Sequence, residues 1–274
     1  MALLGKRLAV AFPDTVLEER SSLRDKTVKL GIIARDCAIF GVDVVEVFRD
    51  SKGHDELMLI KKVLEFLETP QYLRRRLFPL DEALKYAGVL PPLRIPSHKP
   101  MVQVEGLKLG ETREGVTNAD GTVDIGLGER ARLSGSAMPN VRLTVQVKSK
   151  NPLTVTPVTR ESVRDYWGYV VESKSVEEVF SDIRFGVKLA TSRLGDPLSE
   201  KLSEVRASLV RTTGVKLVFG SPSRGLFDIV GPDLVKKSDF VLNLFVDQHV
   251  ETVRTEEAIF AGLGLVNTLM SEKA

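Results

Sequence analysis

Three stretches of this chain place small residues, prolines and polar side chains directly after apolar runs. Thr191-Ser192-Arg193-Leu194-Gly195-Asp196-Pro197 follows the run at 185–190, and Gly220-Ser221-Pro222-Ser223-Arg224-Gly225 follows 215–219. Asp247-Gln248-His249-Val250-Glu251-Thr252-Val253-Arg254 follows 240–246. Runs this apolar and β-branched suit strands buried on both faces of a parallel sheet. In such sheets the loops leaving the carboxyl ends form the ligand crevice. Three breaks of one kind point to a single crevice. Gly195, Gly220 and Gly225 let a ligand approach the backbone because they carry no Cβ, while Pro197 and Pro222 stiffen two of the loops. Asn243 interrupts the third apolar run, and a buried amide without partners costs about 1–3 kcal/mol. It reads as a site residue, with a satisfied structural amide as the other account. Arg254 with Glu256 and Glu257 also fits a charged helix start favourable to the macrodipole.

The elements that must hold these loops follow from periodicity. Residues 8–12 form a short buried strand, and 22–41 carry Leu23, Val28, Leu30, Ile33, Ala34 and Ala38 at helical spacing. A second strand spans 42–48, and an amphipathic helix spans 54–67 with Leu57, Ile60, Leu64 and Leu67 on one side. This alternation is an α/β pattern. A basic, proline-bounded segment at 69–79, a short helix at 81–87 and a semi-rigid linker with Pro91, Pro92, Pro96 and Pro100 then break it. From 101 to 158 the texture changes. Residues 102–105, 141–147 and 153–158 read as strands, and Asn118-Ala119-Asp120-Gly121 between Val116 and Val123 is a hairpin signal. Several short strands without a helical stretch predict a small inserted β-barrel. The sheet resumes at 166–171, with helices at 175–180 and 198–212. A last helix opens at Thr255-Glu256-Glu257, with Ile259, Leu263, Val266 and Met270 along one face.

Composition excludes several classes. At 274 residues, 43% hydrophobic and 28% charged, the chain is an ordinary globular sequence with room for one large domain or two. Its net charge of +2 makes any basic surface a local patch. A single cysteine, Cys37, forms no intrachain disulfide and fits a reducing, cytoplasmic setting; among Ile33, Ala38 and Ile39 it reads as a buried small hydrophobe. His54, His98 and His249 with one cysteine make no credible zinc site, so no metal is expected. No run reaches the roughly 18 apolar residues of a membrane span, and residues 7–12 read as a first strand, not a leader. Nucleotide-binding G-x-x-x-x-G-K-[ST] and G-x-G-x-x-G patterns do not occur.

Phe219-Gly220-Ser221-Pro222-Ser223-Arg224-Gly225-Leu226, Asn243-Leu244 and Val250-Glu251-Thr252-Val253-Arg254-Thr255-Glu256-Glu257-Ala258 together resemble the carboxyl-terminal knot of SPOUT-superfamily RNA methyltransferases. More narrowly, they resemble the archaeal and eukaryotic branch of that superfamily. The resemblance implies an α/β fold: a parallel sheet with a C-terminal trefoil knot, which connection rules alone would not suggest. An OB-like β-barrel is inserted in it. The expected domains are a discontinuous α/β-knot domain (1–97 and 161–274) and a barrel (98–160). The resemblance also implies S-adenosylmethionine held by the three loops, against Thr191, Arg193, Gly195, Gly220, Ser221, Pro222, Gly225, Asn243, Val250, Thr252, Val253 and Arg254.

Lys29-Leu30-Gly31 through Arg35 to Phe40-Gly41 is similar to the first motif of SpoU-type methyltransferases, with Lys29 where that motif has asparagine. Arg35 matches the motif arginine, near the acceptor nucleotide in the family. It is the catalytic candidate, and a salt bridge to Asp36 or Asp25 is the alternative. The family implies a homodimer with the site at its interface and an RNA substrate, rRNA or tRNA. It favours a base nitrogen, uridine N3, over a ribose 2′-hydroxyl. Arg74, Arg75 and Arg76 are candidate RNA-backbone contacts. So is Arg142 on the insert, beside Arg130, Arg132, Lys148 and Lys150. Residues 101–158 contain no aromatic residue, which argues against base stacking there. The rival reading is a non-catalytic RNA-binding or ribosome-assembly protein of the same fold, and three intact loops favour the enzyme.

Overall fold

A computed structural model describes residues 5–50 and 55–271. In chain order the main elements begin with β1 (Arg7–Pro13), α1 (Leu23–Phe40), β2 (Val44–Phe48), α2 (Leu57–Glu68) and α3 (Gln71–Leu77). Five strands follow: β3 (Thr112–Thr117), β4 (Thr122–Asp124), β5 (Ala131–Leu133), β6 (Arg142–Lys150) and β7 (Leu153–Pro157). The remainder comprises β8 (Val170–Lys174), α4 (Val176–Ser181), β9 (Val187–Pro197), α5 (Leu198–Arg211), β10 (Gly214–Val218), α6 (Leu226–Val230), α7 (Leu234–Lys237), β11 (Phe240–Asn243) and α8 (Thr255–Ser271). His54, the expected start of α2, lies outside the described residues.

The chain divides into two compact units. One takes in the chain up to Leu67, Ala83–Pro92 and everything from Tyr169; the other takes in Glu68–Glu82 and Leu93–Gly168.

The first unit is built on a six-stranded sheet in the order β11-β9-β10-β1-β2-β8, with every pairing parallel. β2 and β10 are buried along their whole length, as their apolar runs require for strands covered on both faces. Helix α1 starts where Ser22 Oγ accepts from Asp25 N at 3.0 Å, and it stops at Gly41, whose φ of 71° suits a residue without a Cβ. Helix α8 buries Ile259, Leu263, Val266 and Met270, the expected face. It packs closely enough on β10 that a Cβ at Gly262 would lie 2.9 Å from Leu217.

One irregularity shapes the site. β11 pairs Phe240 with Leu189 and Val241 with Ala190, then jumps to Leu242 with Asp196 and Asn243 with Pro197. Residues 191–195 therefore bulge out of β9 while the strand continues on either side. Gly195 lets the bulge close, since a Cβ there would sit 2.7 Å from Val241 O. The third apolar run also ends sooner than its composition predicts: β11 stops at Asn243, and 244–246 lie outside it.

The second unit is a closed barrel, β3-β4-β5-β7-β6, in which β5 and β7 are parallel and the other pairings antiparallel. Val123, Ile125, Val145, Val147 and Val155 fill it. Residues 102–105 are not a strand. A 3-10 turn (Val104–Gly106) and a single bridge from Val102 to Leu127 stand there instead. The short helix expected at 81–87 is likewise two 3-10 turns, Glu82–Leu84 and Ala87–Val89.

Candidate active site

The bulge of β9 and the loops after β10 and β11 enclose a cleft of about 280 Å³. Its walls include Thr191 and Arg193 from the first loop, Gly220, Ser221, Pro222 and Gly225 from the second, and Asn243, Thr252 and Val253 from the third. The three breaks thus meet in one place. Gly195, Val250 and Arg254 fall outside the lining. Gly195 closes the bulge, and Val250 is exposed with its carbonyl accepting from the Gln248 amide at 2.9 Å. Arg254 N donates to Glu257 Oε2 at 2.9 Å, so Arg254 starts α8.

Each loop is tied by side chains. Asn243 Nδ2 donates to Arg193 O at 3.2 Å, and its Oδ1 accepts from Phe245 N at 2.9 Å. Asn243 is half-buried with both polar ends used. It ends its strand, where the sequence reading had it interrupting a buried one, and it clips the third loop to the first. Thr191 Oγ1 donates to Val218 O at 3.3 Å. In the second loop, Ser221 N donates to Arg224 O at 2.9 Å, a turn so tight that a Cβ on Gly220 would lie 2.8 Å from the same oxygen. Thr255 Oγ1, in the first turn of α8, donates to Gly220 O at 3.2 Å. Arg224 reaches the buried Asp50 carboxylate and donates to Asp228 O at 2.8 Å. Asp228 Oδ2 in turn accepts from Gly225 N at 3.0 Å. Sequence reasoning missed Asp50, Asp228 and Glu18, the last of which accepts from Ser221 and Ser223. Only the glycine-x-x-aspartate spacing ahead of α6 could have flagged Asp228.

Arg35 stands thirteen residues past the α1 cap, roughly 20 Å along a helix that runs back from the carboxyl edge. It does not line its own chain's cleft. Beside it, Asp36 is buried against α8, and its carboxyl is pushed up to about 7, first by burial and next by Glu256, with Arg35 opposing. Lys29, the departure from the motif, is fully buried, lying 3.0 Å from Glu256 and paired with Glu19. It joins α1 to the start of α8.

The four arginines proposed for RNA stand differently. Arg142 is bound to Glu68 at 2.7 Å and Glu114 at 2.6 Å, which gives it an intramolecular role in place of a free basic tip. Arg76 donates to Thr117 O at 2.6 Å and Asn118 Oδ1 at 2.7 Å, and Arg74 donates to Thr69 O at 2.8 Å. Arg75 is exposed. Among the described residues one carboxylate group has metal-like spacing, Glu46, Glu172 and Asp182. Lys216 lies 2.6 Å from Glu46, and Arg184 sits on both Glu172 and Asp182, so cations of the chain already neutralise it. No helix among the described residues is long and apolar enough to cross a membrane.

Residues 7–266 match the family described as "Putative RNA methyltransferase". An uncharacterised protein of Halobacterium salinarum is 33% identical over 282 residues, covering 93% of this chain and 97% of that protein. A human protein named 28S rRNA (uridine-N(3))-methyltransferase is 31% identical over 297 residues, covering 93% of this chain and 76% of the human one. Its mouse counterpart is 29% identical over 293 residues. A match across nearly the whole chain and relatives at this identity decide the matter: the chain belongs to this family of RNA methyltransferases.

Proposed function

We propose that the chain methylates N3 of a uridine in ribosomal RNA with S-adenosylmethionine as donor, the cleft being the donor site. The observation that carries this is the meeting of three tied loops, two of them glycine-bearing, at the carboxyl edge of a parallel sheet, in a chain similar to uridine-N3 methyltransferases. The residues present fit the donor. The cleft volume of about 280 Å³ is near the lower end of small-molecule pockets, roughly 300–1,000 Å³. Gly220 keeps clear a backbone stretch that any Cβ would crowd.

The donor supplies a methyl already activated on a sulfonium, so the chain's task is orientation, worth roughly 7–11 kcal/mol when reacting atoms are held in line. The 220–225 and 191–195 loops line the cleft with backbone that an adenosyl group can approach closely, and Asn243 fixes the distance between the first and third loops. The trefoil knot that the resemblance of 219–258 implies is part of this reading. The barrel's strand order and its one parallel pair support an OB-like insert, and exposed Arg75, Arg130 and Arg132 offer it contacts to phosphate.

The working unit in this reading is a homodimer. Val28, Ile32 and Ile39 on α1 and Phe260 on α8 are each close to half exposed, an apolar surface that a second copy would cover. Arg35 on that helix would then serve the acceptor in the partner's cleft. The test is direct: incubate the protein with ribosomal RNA and labelled donor, digest, and identify the nucleoside by mass spectrometry. Labelled 3-methyluridine is expected; label only in 2′-O-methylated nucleosides, or none, contradicts the proposal.

A further inference from the structure

Glu18 follows a 3-10 turn (Asp14–Leu17) at the carboxyl end of β1, outside the loops that line the cleft. A single oxygen of it, Oε1, accepts three bonds from the second loop: from Ser221 Oγ at 2.8 Å, from Ser223 N at 3.1 Å and from Ser223 Oγ. We infer that Glu18 is a positioning residue of the donor cleft, holding 221–223 in the shape that receives the adenosyl group. This rests on the donor-site reading above.

The loop cannot hold that shape alone. Its internal bonds are the turn from Ser221 N to Arg224 O, the return bond from Arg224 N to Ser221 Oγ at 3.1 Å and a long contact from Ser221 Oγ to Arg224 O at 3.4 Å. Pro222 has no N–H to contribute. Thr255 ties the near end at Gly220 O, and Arg224 ties the far end to Asp50 and Asp228. Glu18 ties the middle, the part that carries the wall residues Ser221 and Pro222. It also occupies the Ser221 hydroxyl, which makes that serine a brace of the wall. Without Glu18 the middle of the loop samples other shapes, and ordering it falls on ligand binding. Because all three bonds converge on one oxygen, the amide oxygen of glutamine can take most of them, although it carries no charge.

The experiment is calorimetric titration of the full chain with S-adenosylhomocysteine, which has no sulfonium charge, for wild type, Glu18→Ala and Glu18→Gln. Wild type binds; Glu18→Ala weakens binding by about tenfold or more, as loss of the three bonds that order the loop implies, with an unchanged melting temperature. Glu18→Gln restores most of the loss, and Ser223→Ala, which removes a donor from the other side, weakens binding several-fold. Unchanged affinity in Glu18→Ala overturns the positioning role while leaving the donor site in place. Glutamine as weak as alanine also overturns it, because charge and not loop shape is then at work. Wild type failing to bind removes the donor-site reading itself, and this role with it.

Discussion

The loop-bearing edge of the parallel sheet and the barrel unit use polar side chains in opposite ways. At the sheet edge, Asn243, Thr255 and Glu18 bond to loop backbone, Arg224 ties its own loop outward to Asp50 and Asp228, and space is left between the loops. In the barrel unit, Arg142, Arg113 and Arg76 turn inward. Arg113 donates to Ile125 O at 2.9 Å and Pro100 O at 2.6 Å, Arg142 joins Glu68 to Glu114, and Trp167 Nε1 donates to Glu114 Oε1 at 2.5 Å. The first arrangement shapes a cleft and the second a polar core. An arginine in a basic run is therefore poor evidence of a nucleic-acid contact until its partners are known.

The contrast breaks most easily at Arg142. Arg142→Ala leaves Glu114 buried without its cation, while Glu68 keeps Arg160, and should destabilise the barrel unit by about 3 kcal/mol, seen as an early transition in thermal unfolding followed by circular dichroism. An unchanged melt would mean the buried network contributes nothing. At the sheet edge the expected loss is of binding, not folding. Gly220→Val drives a side chain into Arg224 O and should weaken S-adenosylhomocysteine by more than about thirtyfold. Gly225→Ala, whose Cβ would meet only Asp228 Oδ2 at an ordinary 3.6 Å, should change it several-fold at most. Equal effects at the two glycines would show that the tight turn is not what matters.

A third prediction concerns the junction of α1 and α8. The Asp36 carboxyl titrates near 7 in the folded chain against an ordinary value of 3.8, so folding favours its protonated form. That contribution is fully present below about pH 4 and is lost as pH rises through 7. Asp36→Asn should flatten this fall and be more stable than wild type at pH 8.5, on the order of 2 kcal/mol by urea unfolding; parallel pH profiles for the two proteins would contradict it. The smallest effect is expected at Arg75. Arg75 is exposed and is proposed to contact phosphate, so its replacement by alanine should lower the salt slope of RNA binding by about one and leave donor binding unchanged. An unaltered slope removes it from the interface.

Much of this was legible in the sequence where a single local signal decided it. Ser22 and Gly41 bracket α1, Ile259, Leu263, Val266 and Met270 mark the buried face of α8, and three polar breaks, two of them bearing glycine and proline, mark the cleft. What was not legible depends on partners far along the chain. The bulge at 191–195 exists because β11 pairs on both sides of it, about fifty residues later. Arg142 reads as a basic surface residue until Glu68, 74 residues away, is placed against it. Asn243 looked like an amide trapped within a strand because nothing local shows that the strand stops there. Glu18 carried no periodic or motif signal at all; its meaning comes from Ser221 and Ser223, some two hundred residues on.

The account stands or falls on what the cleft holds. A crystal structure of the protein with S-adenosylhomocysteine should show the adenosyl group between Thr191–Leu194, Gly220–Gly225 and Leu244–Val253, with the Asn243 and Glu18 ties intact. The ligand bound elsewhere, or those loops closed on one another with their own side chains filling the space, would contradict it.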